Sequence, residues 1–403
     1  MTSQATRSFD RQWAELTAIG RHPQTGGYRR YALTREDHDL REWFAGEAID
    51  RGLDLTLDRM GNQWAWWGDP DTTPGIVTGS HLDSVPDGGA YDGPLGVVSA
   101  FAALDRLQEN GIRPRRPLGI VNFADEEGAR FGVACAGSRV ITGALAPERA
   151  LGLRDGDGLS MADALRAAGR DPELVGPDPE TLRRVGAFVE LHVEQGRGLI
   201  DLDQPVALGT DIWPHGRWRL DFPGEANHAG TTRLVDRQDA MIGLATTVLA
   251  AREAATAHGC VATMGKTLIV PGGVNAIPSA ATGWLDARGA DEAAVRRTVD
   301  EVTAAATAKG AVVTEESWTA TTRFDLDLLT RLHQVLPAAP LLGTGAGHDA
   351  GILTTAGIPT GMIFVRNPTG VSHSPAEFAE RDDCLAGVDA LAAVLSDLTG
   401  EHA

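Results

Sequence analysis

Cysteine is scarce in this chain: Cys135, Cys260 and Cys384 stand far apart with no CxxC pair. They cannot build a disulfide framework, which fits a reducing compartment. Basic charge is in deficit. Thirty-six Lys and Arg face 55 Asp and Glu, a net charge of −19, and such a balance repels nucleic acid and anionic membranes. Long apolar runs are missing as well. The longest, Leu95 to Leu104, stops at Asp105, short of the roughly 20 residues a membrane span needs. The opening MTSQATRSFDRQW holds no apolar stretch, so no secretory signal is expected. These absences point to a soluble, cytoplasmic protein. What is present is apolar substance: 42% of 403 residues, enough for the cores of two or three domains at about 150 residues each.

The first 200 residues alternate strand-like and helix-like patterns. GIVTGS (75–80) and LGIVNFA (118–124) are continuous apolar runs, as buried parallel strands show, and AFVELHV (187–193) is a third. Between the first two, Val97, Phe101, Leu104 and Leu107 recur at helical spacing before Gly111. A helix is expected over Ser138 to Leu145, and residues 151–180 read as a polar excursion around one short helix. This rhythm predicts an α/β domain built on a mostly parallel sheet flanked by helices. From about 213 the pattern changes. HGRWRLDF (215–222), a helix through Met241, Leu244, Val248 and Ala251, KTLIV (266–270), ATGWLDAR (281–288), a helix through Val295, Val299 and Val302, and AVVTEESW (311–318) follow in turn. That β-α-β-β-α-β order is the ferredoxin-like unit. GMIFV (361–365) and a last helix through Leu385, Val388, Leu391 and Leu395 then return to the first pattern. The expected organisation is a catalytic domain of residues 1–212 and 324–403 interrupted by an inserted domain of residues 213–323. Inserted units of this kind offer a sheet edge or helix face to a second copy, so a homodimer is expected.

Ligands of open α/β sheets bind beyond the carboxyl ends of the strands. GIVTGS is followed by His81-Leu82-Asp83 and, after a Gly-rich turn, Asp92. LGIVNFA runs into Asp125-Glu126-Glu127, AFVELHV carries His192 and is followed by Glu194-Gln195-Gly196, and GMIFV precedes a loop with His373. Imidazoles and carboxylates without thiolates suit a pair of borderline divalent ions. A lone strand-end histidine is more often a satisfied polar residue than a ligand. Gathering three of them with several acids at one sheet edge carries a burial cost that cations remove. In an extended HLD segment residues 81 and 83 point the same way, so Asp83 can accept the ring N–H of His81. The expected arrangement puts His81 and His192 on one ion, Glu127 and His373 on the other, and Asp92 on both. Glu126 is left to act as general base.

The segments SHLDSVPDGGAYDGPLG, FADEEGARFG, ELHVEQG, ANHAGTT, GAGHDAG and FVRNPTGVSHSPAE resemble the dinuclear amidases that hydrolyse N-carbamoyl-L-amino acids, allantoate and N-carbamoyl-β-alanine. That group belongs to the aminoacylase and glutamate-carboxypeptidase superfamily, and the resemblance runs from about residue 10 to 399. It implies a zinc-exopeptidase-like catalytic domain with a lid and dimerisation insert, and two divalent ions per subunit (Zn²⁺ or Mn²⁺, with Co²⁺ and Ni²⁺ also accepted). It implies the metal ligands His81, Asp92, Glu127, His192 and His373, and Glu126 as the base activating a bridging water. For the substrate it implies Gln195 against the ureido or amide group, His228 at the oxyanion, Asn275 and Arg288 on the carboxylate, and a part for His348. The peptidase relatives usually carry an acid where this chain has His192, a difference that favours amidase over peptidase.

The expected activity is hydrolysis of a linear C–N bond beside a carboxylate, in allantoate or an N-carbamoyl-L-amino acid. A deacylase of N-formyl or N-acyl amino acids such as N-formylglutamate, or an exopeptidase, is the alternative within the superfamily. A non-catalytic binding module would have lost a ligand or the base, and here all are present.

Overall fold

A computed structural model describes residues 3–400; residues 1–2 and 401–403, counted above with the catalytic domain, lie outside it. The strands are β1 (Asp54–Leu57), β2 (Gln63–Trp67), β3 (Gly75–His81), β4 (Leu118–Phe123), β5 (Val185–Val193), β6 (Val206–Ile212) and β7 (His215–Pro223). They continue with β8 (Val261–Val270), β9 (Ala280–Arg288), β10 (Val312–Thr319), β11 (Thr322–Arg323), β12 (Leu341–Thr344) and β13 (Thr360–Val365). The chain divides into two compact units, one of residues 1–210 and 323–403 and one of residues 211–322.

The larger unit holds a mixed sheet in the order β1-β2-β4-β3-β5-β13-β6-β11, with β12 also on β6. Its centre, β4-β3-β5-β13, is parallel, while β2 on β4 and β6 on β13 run antiparallel. Every residue of β3, β4 and β13 is buried, which is why these strands read as unbroken apolar runs. The helix over Pro94–Glu109 is buried on nearly all sides and is correspondingly hydrophobic around its circumference. Register matters most for function. His81 pairs with Phe123 and Phe364 with His192, so the parallel strands end together at one edge. Gly79 (φ +135°) sits where a Cβ would collide with the Val121 carbonyl, so the close approach of β3 to β4 requires glycine.

Two expectations change in detail. The helix expected over Ser138–Leu145 covers Ala136–Ile141. It starts earlier because Gly137 lets the backbone close on Ala124, and Gly143 at φ +79° stops it. Residues 151–180 hold more than one short helix. Met161–Ala167 is capped by Ser160, Pro179–Arg183 is capped by Asp178, and a 3₁₀ turn lies between them. Ahead of the first expected strand, two helices (Gln4–Leu16 and Arg35–Asp50) and the β1–β2 hairpin complete the unit. The hairpin joins through the pairing of β2 with β4, and the helices through Arg51, whose guanidinium reaches both oxygens of Asp105 at 2.7 and 2.8 Å, Glu47 at 2.8 Å and Ser8 at 2.9 Å. The Arg51, Asp105 and Glu47 side chains are at most 8% exposed, and removing one partner of such a buried pair typically costs about 3–5 kcal/mol.

The smaller unit is a four-stranded antiparallel sheet ordered β10-β7-β9-β8, the ferredoxin-like arrangement. Along β9 every second residue is buried, and these side chains pack with Leu220, Phe222, Leu244, Val295, Val299 and Val302 into one core. Strand β8 is an edge strand and is longer than expected, with Val261 and Leu268 exposed. Ile242 and Leu249 are exposed on the helix Ala240–His258. Among the described residues no helix is long and apolar enough to cross a membrane.

Candidate metal centre and active site

The shared edge of the parallel strands gathers the expected ligands. His81 closes β3, with its Nε2 3.6 Å from Asp92 Oδ1; His192, near the end of β5, places its Nε2 3.1 Å from the same oxygen. The other oxygen of Asp92 lies 3.3 Å from His373 Nε2, which in turn is 3.6 Å from Glu127 Oε2. The donors thus fall into two groups, His81-Asp92-His192 and Asp92-Glu127-His373, with Asp92 common to both. Gly93, at φ +84°, lets the chain turn from Asp92 into the following helix; a Cβ there would overlap the His81 ring. His373 itself adopts φ +56°, an uncommon conformation for a residue with a side chain and one that the surrounding structure must impose.

The adjacent glutamates, in the bend that follows β4, point different ways. Glu127 faces His373, while Glu126 Oε2 sits 3.8 Å from His81 Nε2. Their backbone is held by Asp83, whose two carboxylate oxygens accept from the N–H groups of Glu126 (3.1 Å) and Glu127 (3.0 Å). The His81 ring nitrogen Nδ1 meets the Asp83 backbone carbonyl at 3.2 Å and the carboxylate at 3.5 Å. One residue therefore orients the imidazole of β3 and the acidic turn after β4 together. Cys135 adds a thiol that donates to Glu126 Oε1 at 3.4 Å.

Charge decides what the pocket accepts. Burial raises Glu126 well above the usual carboxylate range, with Asp349 and Glu127 adding to the rise and His81 opposing it. Burial and the nearby Asp92 push Glu127 up to about 7. The hydrogen bond to Asp92 raises His373 to about 9. Burial alone would lower His81, yet Glu126, Asp83 and Asp92 overcome it. Such a cluster of carboxylates favours positive charge at its centre. The Nε2 atoms of His81 and His192 and Oε1 of Glu127 are buried without a hydrogen-bond partner among the described residues. Orphaned buried donors and acceptors are rare, and imidazole with carboxylate is the donor set of divalent transition ions. The residues therefore fit two cations.

Beneath these ligands lies a layer that sequence periodicity does not reveal. Glu190, one residue back from Leu191 on the buried β5, accepts from Ser80 Oγ at 2.7 Å and from Ala350 N at 3.3 Å. Asp349 accepts from Ser138 Oγ and is raised by burial to about 8. Glu190, His192 and His348 form a third group of donors, but it shares His192 and both Glu190 oxygens are already engaged. His348 is buried with its ring 4.5 Å from that of His192, and burial holds it well below the ordinary histidine range. Gln195 points its amide nitrogen at Asp92 Oδ2 (2.9 Å) and at Ser372 Oγ (3.1 Å), and its own oxygen is buried with no hydrogen-bond partner among the described residues.

On the smaller unit, ANHAGTT and VNAIP are hydrogen-bonded to each other. Ala229 N donates to Asn275 O and Ile277 N to Asn227 O, each at 2.9 Å. His228 and Asn275 are therefore carried side by side, both exposed. Arg288, at the end of β9, holds both oxygens of Asp286 through Nε (2.6 Å) and Nη2 (2.9 Å), the bidentate geometry of a carboxylate-binding guanidinium.

Comparison with known proteins agrees with this construction. The profile of peptidase family M20/M25/M40 matches residues 77–397. An N-carbamoyl-L-amino acid amidohydrolase of Geobacillus stearothermophilus is 36% identical over 94% of this chain and 94% of its own length. Allantoate amidohydrolase of Escherichia coli is 31% identical, covering 95% of each chain. The crystal structure of an amidase of the hydantoinase/carbamoylase family from Burkholderia multivorans superposes with a TM-score of 0.84 at 29% identity, covering 97% of both chains. The chain belongs to peptidase family M20/M25/M40 and is similar over 94–95% of its length to these two amidohydrolases.

Proposed function

We propose that this protein hydrolyses the linear ureido or amide C–N bond of a small carboxylate-bearing compound, either allantoate or an N-carbamoyl-L-amino acid. The observation that carries the reading is the pair of donor groups sharing Asp92, with buried His81 and His192 ring nitrogens that have no hydrogen-bond partner among the described residues. His81 and His192 would hold one cation, Glu127 and His373 the other, and Asp92 both. When bound, the cations supply positive charge that polarises a carbonyl and makes a nearby water more acidic. Glu126 takes the proton of the attacking water and returns it to the leaving nitrogen. Its dry surroundings raise its proton affinity above that of an ordinary carboxylate, as suits a group that must take up a proton. Asp83 keeps Glu126 and Glu127 on their separate tasks through the two backbone hydrogen bonds. Gln195, His228, Asn275, Arg288 and His348 are assigned to the substrate by likeness to the amidases.

A substrate panel tests this. With cation-loaded protein, allantoate or N-carbamoyl-L-amino acids should release ammonia, and a chelator should abolish the release. Cleavage of dipeptides or N-formyl-L-glutamate alone, with no ammonia from any ureido compound, would overturn the assignment.

The same reading includes a homodimer formed through the inserted unit. It is supported by the β8 edge and by the exposed Ile242, Leu249 and Leu268. Light scattering should give twice the 42.5 kDa chain mass, and Leu249→Glu with Leu268→Glu should halve it. A wild-type protein of single-chain mass would refute the dimer.

A further inference from the structure

We infer that Glu377 is a positioning residue that sets Asp92, the carboxylate common to both donor groups. Glu377 lies four residues after His373 and is 4% exposed. Its Oε1 accepts from the backbone N–H groups of Tyr91 and Asp92, both at 2.9 Å. Its Oε2 accepts from Ser372 Oγ at 3.1 Å, and Ser372 immediately precedes His373. One carboxylate thus joins the loop that presents Asp92 to the loop that presents His373, across 285 residues of sequence.

The loop is built to receive it. Gly89 faces Glu377, and a Cβ there would collide with the carboxylate. On the other side Tyr91 packs against Trp13, ring centroids 4.7 Å apart, and edge-on against Phe378 at 6.0 Å. A segment with two adjacent glycines, Gly88-Gly89, has little stiffness of its own; here aromatic packing and Glu377 supply it. Packing alone would be served better by an apolar residue. A second carboxylate beside Asp92 carries like-charge and burial penalties, and those are tolerable only where its hydrogen bonds are needed. Asp83 acts on the Glu126–Glu127 turn in the same way, by accepting from two successive N–H groups. Each acidic segment of the centre is therefore held by a carboxylate from a different loop, an outer layer of the kind that typically changes metal affinity or turnover 10–100-fold.

The inference rests on the proposed metal centre only for its consequence in cation binding, and the test separates the two. Glu377→Leu removes the acceptors and keeps the bulk. Glu377→Gln keeps an acceptor for both N–H groups and can donate to Ser372. In cation-free protein, hydrogen exchange at the Tyr91 and Asp92 amides should speed up by about tenfold or more in the leucine variant and stay within about twofold in the glutamine variant. Titration with Co²⁺, followed by visible absorbance, should show about 10–100-fold weaker binding for leucine and near wild-type binding for glutamine. The turnover number should fall with little change in KM. Unchanged exchange and unchanged Co²⁺ affinity in the leucine variant would overturn the inference. If that variant does not fold, Glu377→Asp takes its place; its carboxylate is one methylene short of the two amides, and it should speed exchange at Tyr91 and Asp92 by about threefold or more; no change would overturn the inference equally. A wild-type protein that binds no Co²⁺ would refute the metal reading while leaving the exchange measurement to decide the role of Glu377.

Discussion

Glu126→Gln should lower the turnover number by about 10²–10⁴-fold while the protein keeps its cations and its melting temperature. The amide has the shape of the acid and can still accept from the Cys135 thiol, which meets Glu126 Oε1 at 3.4 Å. The backbone is held independently, by Asp83 on the Glu126 N–H and by the Cys135 N–H on the Glu126 carbonyl. What the substitution removes is the capacity to take and return a proton. Burial gives Glu126 a raised proton affinity, so it is suited to hold a proton during the reaction, and an amide cannot. Ammonia release measured beside metal content separates this from loss of the centre. A variant turning over within about tenfold of the parent would remove Glu126 from the role of base, since general acid–base contributions below that are atypical.

Asp92→Asn should have the larger effect on the centre itself. Asp92 meets His81 and His192 through one oxygen, and His373, Gln195 and Ser372 through the other. Three histidines hold it well below the ordinary carboxylate range against the opposing effect of burial. Asparagine offers one oxygen only. Its amino group must face either the pair of imidazoles or the amide nitrogen of Gln195, which is also a donor. Cation content by mass spectrometry should fall from two per chain to below one. Turnover should drop by roughly 10³-fold or more, since a cation contributes several kcal/mol of transition-state stabilisation. Purified Asp92→Asn protein that keeps two cations would refute the shared role of this carboxylate.

Much of the fold is legible because local physics writes it locally. Burial on both faces makes β3, β4 and β13 continuous apolar runs, and alternating burial marks β9. The chemistry at the strand ends is equally visible, since His81, Glu126, Glu127 and His192 adjoin those runs in the sequence. The N-terminal helices are harder to see, because each buries only four residues, among them the polar Gln12 and Glu47, and their anchoring depends on distant partners such as Asp105. Glu190 is hidden for another reason. It stands in an apolar strand as an isolated acid, and its burial makes sense only once Ser80 and Ala350 are seen to meet it. Glu377 reads as an ordinary acidic residue beside a histidine until its oxygens are traced to the Asp92 loop.

Element type, sheet class and the inventory of imidazoles and carboxylates were determined by the amino-acid order alone, because periodicity and side-chain chemistry belong to each segment by itself. The tertiary structure alone decided which oxygen of Asp92 faces which histidine, that Asp83 clamps two amides, and that Gln195 points at Asp92. Those pairings join segments separated by tens to hundreds of residues, and strand register with the close packing allowed by Gly79, Gly89 and Gly93 selects among them.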